Sequence, residues 1–249
     1  MDLLELIIDF HIDGKRQGPG SDEATKKALS FIPQLNEHSQ ILDIGCGTGA
    51  QTMILAQNTN ANIIAVDMLP QFLGRLNKKI DDKNLNNRVG TKCLSMDSLP
   101  FEEKSFDVIW SEGAIYNIGF EKGLSQWRKY LKDNGYIAVS EISWLTDTRP
   151  SEIDEYWINA YSEIDTIDTK LSIIEKCGYT PITHFALDDH CWIDNYYKPI
   201  FERSEAFINK YNYSKEVKEF VEAGKIEAEM YTRFKEYYSY VFYIAKRVG

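Results

Sequence analysis

The sequence predicts an α/β chain built on a doubly wound, mostly parallel sheet with a helical cap, and three observations carry that expectation. Short apolar runs recur between residues 41 and 141, with segments of helical periodicity between them. The first run, Ile41-Leu42-Asp43-Ile44, ends directly in the glycine-rich stretch Gly45-Cys46-Gly47-Thr48-Gly49. A last apolar run, Tyr240-Val241-Phe242-Tyr243-Ile244-Ala245, returns after a long helical insertion, so the sheet resumes near the C-terminus. Strands separated by helices imply right-handed crossovers and a sheet covered on both faces.

Leu3, Leu6, Ile7 and Phe10 lie at helical spacing in residues 2 to 11, and Asp13-Gly14 and Gly18-Pro19-Gly20 then break the pattern. Ser21 precedes Ala24, Ala28, Leu29 and Ile32, the mark of a capped helix that stops before Pro33. The core then reads strand 41 to 44, helix 50 to 58, strand 63 to 67, helix 70 to 84, strand 89 to 94, strand 106 to 111, helix 121 to 131 and strand 136 to 141. Beyond residue 142 the pattern loosens into a Trp/Tyr-rich segment, followed by a helix at 167 to 177 and a strand near 180 to 187. Residues 191 to 236 are mostly helical by periodicity, with Val217, Phe220, Val221, Gly224, Ala228 and Tyr231 on one face. The expected organisation is one domain over residues 1–249, with a core of 38–142, 166–188 and 237–249 and a cap of 1–37, 143–165 and 189–236.

Composition excludes several classes. At 249 residues, 43% hydrophobic and 27% charged, the chain is long enough to bury its own core without staples. Its formal charge of −10 repels phosphate backbones and anionic lipid, and no basic cluster offsets it, so neither nucleic acid nor membrane is an expected partner. Cys46, Cys93, Cys177 and Cys191 are far apart, with no paired or zinc-type spacing, so no metal is expected. The opening Met1-Asp2-Leu3-Leu4-Glu5 carries acids where a secretory signal needs bases, and a cytoplasmic protein is expected.

The glycine stretch carries the most chemistry. Lying between a strand and a helix, it removes the Cβ atoms that would keep a ligand off the backbone and turns N–H groups toward a crevice. Gly45-x-Gly47-x-x-Ala50 also fits the dinucleotide fingerprint, so a nicotinamide-dependent oxidoreductase is a rival expectation. Asp43, two residues before Gly45, weighs against it: a carboxylate there repels a pyrophosphate and attracts a ligand with a cationic end.

Across residues 38 to 142 these features resemble the class I S-adenosylmethionine-dependent methyltransferases, whose first motif is an acid-x-Gly-x-Gly-x-Gly loop. The resemblance implies a Rossmann-like methyltransferase fold and S-adenosylmethionine as cofactor. It places Asp43, Gly45, Cys46, Gly47, Thr48 and Gly49 around the cofactor, Asp67 on both ribose hydroxyls with Met68 beside it, and Asp97 with Ser98 at the adenine amino group under Met96. A carboxylate suits the ribose, because two oxygens can accept from two neighbouring hydroxyls. Arg16 and Gly18, in Arg16-Gln17-Gly18-Pro19-Gly20, fall where small-molecule members carry a lid, with Arg16 expected on the methionine carboxylate and the glycines as hinges. Glu112, at the end of the fourth strand, is expected at the methionine end or at a substrate.

Methyl transfer from a sulfonium is an in-line displacement that depends mostly on orientation and a dry site. Where a base helps, His11, Glu112 and Tyr116 are the candidates by position. Strand four lacks the Asn-Pro-Pro-Tyr type of ending used on nucleobase amines, and no Pro-Cys pair supplies a thiolate for cytosine. The pattern is most similar to small-molecule methyltransferases, including those of ubiquinone and menaquinone biosynthesis, with an O-, N- or C-acceptor. A protein that binds the cofactor without turnover is the other alternative.

Overall fold

A computed structural model describes residues 3–249. Helices α1 (Leu3–His11) and α2 (Asp22–Leu29) precede the sheet. The Ser21 hydroxyl accepts from the Ala24 N–H and so caps α2, as the sequence indicated. Then follow β1 (Gln40–Ile44), α3 (Ala50–Asn58), β2 (Asn62–Asp67), α4 (Pro70–Asp82), β3 (Val89–Cys93), β4 (Phe106–Glu112), α5 (Phe120–Trp127) and β5 (Leu131–Trp144). The second half comprises α6 (Ser151–Ala160), a two-residue β6 (Asp165–Thr166), α7 (Ile167–Lys176), β7 (Tyr179–Ala186), α8 (Asp189–Trp192), α9 (Lys198–Lys210), α10 (Lys215–Phe234) and β8 (Tyr238–Arg247).

The strands run in the order β3-β2-β1-β4-β5-β8-β7, with β6 attached to β5. β1 to β5 are parallel, whereas β8 is antiparallel to both β5 and β7. Order reverses at β1, which pairs with β2 on one side and β4 on the other, and a crevice opens there beyond the carboxyl ends of the strands. The glycine loop, Asp67 and Glu112 all leave the sheet at that edge because each closes one of these three strands.

Each face of the sheet has its own apolar layer. Ile41, Ile63, Val108 and Trp110 pack on one side, and Leu42, Ile44, Ile109 and Val139 on the other, the period-two alternation of strands. A third, smaller cluster of Leu6, Phe10, Ile200, Phe207, Val217 and Val221 joins α1, α9 and α10 away from the sheet.

Several boundaries differ from the sequence expectation. α5 ends at Trp127 because residues 128–130 tighten into a 3₁₀ turn. β5 starts at Leu131 and runs 14 residues, since a register shift between Phe106 and Val108 lets Leu131 pair with Phe106 before the regular ladder begins. The segment after 142, expected to be irregular, contains α6, whose only fully buried contact is Ile153. Among the described residues no helix is long and apolar enough to cross a membrane.

One buried ion pair braces the site end of β5. Lys170 Nζ lies 3.1 Å from Glu141 Oε1 and donates to the Glu163 carbonyl at 2.7 Å, with both charged side chains shielded from water. The Tyr161 hydroxyl donates to the same Glu141 oxygen at 2.6 Å, while Glu141 Oε2 has no partner. Burial raises the Glu141 carboxyl and Lys170 opposes that rise. Lys170→Met should therefore cost about 3–5 kcal/mol in chemical denaturation, because it strands a buried carboxylate, and adding Glu141→Gln should recover most of the loss.

Candidate functional site

The glycine loop is shaped by what presses on it. Gly45 and Gly49 hold φ of 71° and 82°; an added Cβ would fall 2.4 Å from the Ala114 Cβ and 2.2 Å from Leu76 Cδ1, respectively. The loop is thus wedged between the exit of β4 and helix α4. Its N–H groups are fully accounted for. Gly45 and Cys46 donate to the Val66 carbonyl at 2.9 and 3.0 Å, Gly47 to Asp67 Oδ2 at 2.9 Å, Thr48 to Gln17 Oε1 at 2.9 Å, and Gly49 to the Cys46 carbonyl at 2.9 Å. A diphosphate needs such donors free, and here they are committed inside the protein.

Asp43 does not play the part expected of it. Its side chain is fully buried, accepting from Thr52 Oγ1 at 2.5 Å and from Gln51 Nε2 at 3.3 Å, and it is not on the wall of the crevice. It ties β1 to the first turn of α3 and shapes the loop from behind. Burial pushes its carboxyl up to about 7, against the Thr52 hydrogen bond and with the Glu112 charge adding to the rise. The argument that its charge meets a ligand is therefore corrected: the saturated loop disfavours a pyrophosphate, not Asp43.

A cavity of about 700 Å³ opens at this edge, within the range of small-molecule sites. Most of the expected residues line it: His11, Arg16, Gly18, Gly45, Cys46, Gly47, Asp67, Met68, Met96, Asp97, Glu112 and Tyr116. Thr48, Gly49 and Ser98 stand outside it. Thr48 turns inward, its carbonyl taking Lys79 Nζ at 2.9 Å; Gly49 packs on Leu76; Ser98 closes an exposed turn onto the Ser95 carbonyl.

Asp67 is held by two backbone donors, Gly47 N–H on Oδ2 and Leu69 N–H on Oδ1, each at 2.9 Å. Burial raises its carboxyl and these N–H groups oppose the rise. Each oxygen keeps accepting capacity toward the cavity, so the pair can receive two adjacent hydroxyls. Met96 lies across from Gly45, its Cε 3.4 Å from where a Cβ would stand. Asp97 pairs with Lys122 at 2.8 Å through Oδ1, leaving Oδ2 available.

Glu112 is committed elsewhere. Oε2 accepts from Arg16 Nη1 at 2.8 Å, and Oε1 accepts from Thr25 Oγ1 at 2.7 Å and Trp110 Nε1 at 2.9 Å. Three donors on one buried carboxylate make it a latch between the loop before α2 and the end of β4, so its expected role as a base is withdrawn. Arg16 is bound by the same latch, with Nη2 also reaching Asp22 and Thr25, but its buried Nε has no partner. Nothing lies within 4 Å of an added Cβ at Gly18, so that position is glycine for no packing reason.

His11 and Tyr116 face the cavity beyond the latch. Burial, with the Arg203 charge adding, brings His11 down to about 4, so it is a neutral imidazole near pH 7, and its buried Nδ1 is unpartnered. Burial raises the Tyr116 phenol, which therefore keeps its proton and serves as a donor. Sequence reasoning missed Gln17, whose amide also donates to the His11 and Gly14 carbonyls and seals the glycine loop, as well as Tyr196 and Phe220 on the cavity wall. No local pattern announces an amide that acts 31 residues away.

Several known proteins that this chain resembles are methyltransferases. Residues 41–135 match a family profile described as "Methyltransferase domain". The chain is 27% identical to the phosphoethanolamine N-methyltransferase of Plasmodium falciparum over 84% of its own length and 79% of that protein. It is 30% identical to the ubiquinone/menaquinone biosynthesis C-methyltransferase UbiE of Citrifermentans bemidjiense over 59% of its own length, and spans 63% of that relative. The fold superposes on an S-adenosylmethionine-dependent methyltransferase from Thiobacillus denitrificans in complex with S-adenosylhomocysteine, with a TM-score of 0.84 and 17% identity, covering 99% of this chain and 100% of that one.

Asp43 offers a pH test. Its carboxyl titrates higher folded than unfolded, so the folded state holds an extra proton between about pH 4 and 7 and loses stability as pH rises through that window. The stability of Asp43→Asn minus that of the natural chain should rise by about 1.4 kcal/mol per pH unit there and level off above pH 7. Urea melts at several pH values measure it, and a flat difference would contradict the assignment.

Proposed function

We propose that the chain is a class I S-adenosylmethionine-dependent methyltransferase and that it transfers the cofactor's methyl group to a small, partly apolar metabolite held beneath the cap. The observation that carries this reading is the chemistry of the cavity wall: acceptors remain available at Asp67, whereas the donors of the glycine loop are used up. A ligand rich in hydroxyl and amino groups suits that wall, and a diphosphate does not, which removes the nicotinamide alternative.

Bound there, S-adenosylmethionine supplies a methyl group on positively charged sulfur. The protein's part is to hold and to exclude water. Asp67 takes the two ribose hydroxyls, Met96 covers the adenine, and the free oxygen of Asp97 accepts from its amino group. Arg16, which lines the cavity, is the cation we assign to the methionine carboxylate. Positive charge disperses as the methyl moves, so a dry, oriented site accounts for most of the acceleration. Gln17 closes the loop on one side, and Leu4, Ile7, Tyr196 and Phe220 bring apolar surface from α1, the segment before α9, and α10 over the other. We assign residues 3–37, 143–165 and 189–236 to this cap; residues 1 and 2 of the expected cap lie outside the described residues. Of the proposed bases, His11 fits a weak one, a neutral imidazole on the cavity wall.

Asp67→Ala should weaken S-adenosylhomocysteine binding by about 1–3 kcal/mol in isothermal titration, and Asp67→Asn by less. NADH should neither bind nor compete. An unchanged dissociation constant in Asp67→Ala, or displacement by NADH, would contradict the proposal.

A further inference from the structure

Arg16 is the one cation among the described residues that line the cavity, and the acids there are Asp67, Asp97 and Glu112. All four belong to the part of the wall assigned to the cofactor. Arg16 is also occupied: Nη1 donates to Glu112, and Nη2 donates to Asp22 and Thr25. Other cations close by lie outside the cavity. Lys79 Nζ donates to the Thr48 carbonyl, Lys122 pairs with Asp97 Oδ1, and Arg203 Nη2 stands 3.4 Å from the position of a Cβ at Gly14; none of the three lines the cavity.

The wall left for an acceptor is of another kind. Leu4, Ile7 and His11 come from α1, Tyr116 from the turn after β4, Tyr196 from the segment before α9 and Phe220 from α10. Tyr196 and Phe220 rest on the apolar cluster of Leu6, Phe10 and Phe207, and the His11 ring lies parallel to that of Tyr196 with 6.2 Å between centroids. None of these six side chains carries charge near pH 7: burial keeps the imidazole neutral and keeps the protons on both phenols.

A charged acceptor leaving water for this surface would meet no counter-ion on it, which is costly for anion and cation alike. The chain's formal charge of −10 adds a further barrier to anions.

We infer that the acceptor subsite selects an uncharged molecule whose apolar or aromatic body is seated against Ile7, Tyr196 and Phe220, and that it rejects phosphate esters, carboxylates and ammonium ions of the same shape. Aromatic walls favour such a body, and the Tyr116 hydroxyl can donate to a neutral oxygen on it. This inference rests on the cofactor placement above and narrows the acceptor to one charge class.

The test is calorimetric titration of the full chain saturated with S-adenosylhomocysteine, using three probes of similar shape: 4-ethylphenol, 4-ethylphenyl phosphate and 4-ethylbenzylammonium. The phenol should bind at least tenfold more tightly than either ion. Ile7→Lys puts a cation on the same wall and should narrow the ratio of phenol to phosphate affinity at least threefold, with retained S-adenosylhomocysteine binding reporting that the variant is folded. Leu4→Lys, one helical turn earlier on the same face and more exposed, takes its place if Ile7→Lys does not fold. An ion that binds as tightly as the phenol, absent binding of the phenol, or a ratio unmoved by the added lysine overturns the inference. Failure of S-adenosylhomocysteine itself to bind to the natural chain would instead overturn the cofactor assignment.

Discussion

The hydrogen bonds that fill the glycine loop constrain everything built around it. Its five successive N–H groups, Gly45 to Gly49, find partners in Val66, Asp67, Gln17 and the loop's own carbonyl. Three of those partners lie at the end of the neighbouring strand or in the loop itself, so the parallel pairing of β1 with β2 sets the loop's shape before any ligand arrives. The same bonds orient Asp67: the carboxylate is pinned by Gly47 and Leu69 and presents its remaining lone pairs outward. A loop of this kind is poor at holding an anion and well suited to framing a nucleoside sugar.

A second constraint joins the segment before α2 to the sheet. Glu112 collects Arg16, Thr25 and Trp110, and so fastens the segment before α2 to the fourth strand. Gly20 adds a backbone bond to Cys191, and Asn195 donates to the Gly20 carbonyl, carrying the connection into the segment ahead of α9. Opening this side of the cavity means separating a buried ion pair and the two further hydrogen bonds on Glu112. A cofactor that offers Arg16 a carboxylate competes with Glu112 for the same guanidinium.

The order of strands and helices up to β5 was legible because burial on both faces makes each strand a short apolar run, and the glycines mark where backbone must come close. Leu42 and Ile44 inside, Gly45 and Gly49 at the turn, and Asp67 at the next strand end could be located by spacing alone. The direction of β8 could not, since an apolar run carries no record of which way it pairs, nor could α6, whose burial rests on Ile153. Asp43 and Glu112 were visible as acids at strand ends, but their tasks were not. Whether such a carboxylate faces a ligand or a threonine depends on Thr52, Thr25 and Arg16, which the fold brings from elsewhere in the chain. Gln17 falls in the same category, as a polar residue whose surroundings are made wholly by tertiary packing.

The account turns on Asp67 and the loop it closes. A crystal structure with S-adenosylhomocysteine soaked in is the most direct examination. It should show both ribose hydroxyls on the Asp67 carboxylate while Gly47 N–H still donates to Oδ2. A ribose seated away from Asp67, or a loop whose N–H groups have turned to meet the ligand, would contradict it.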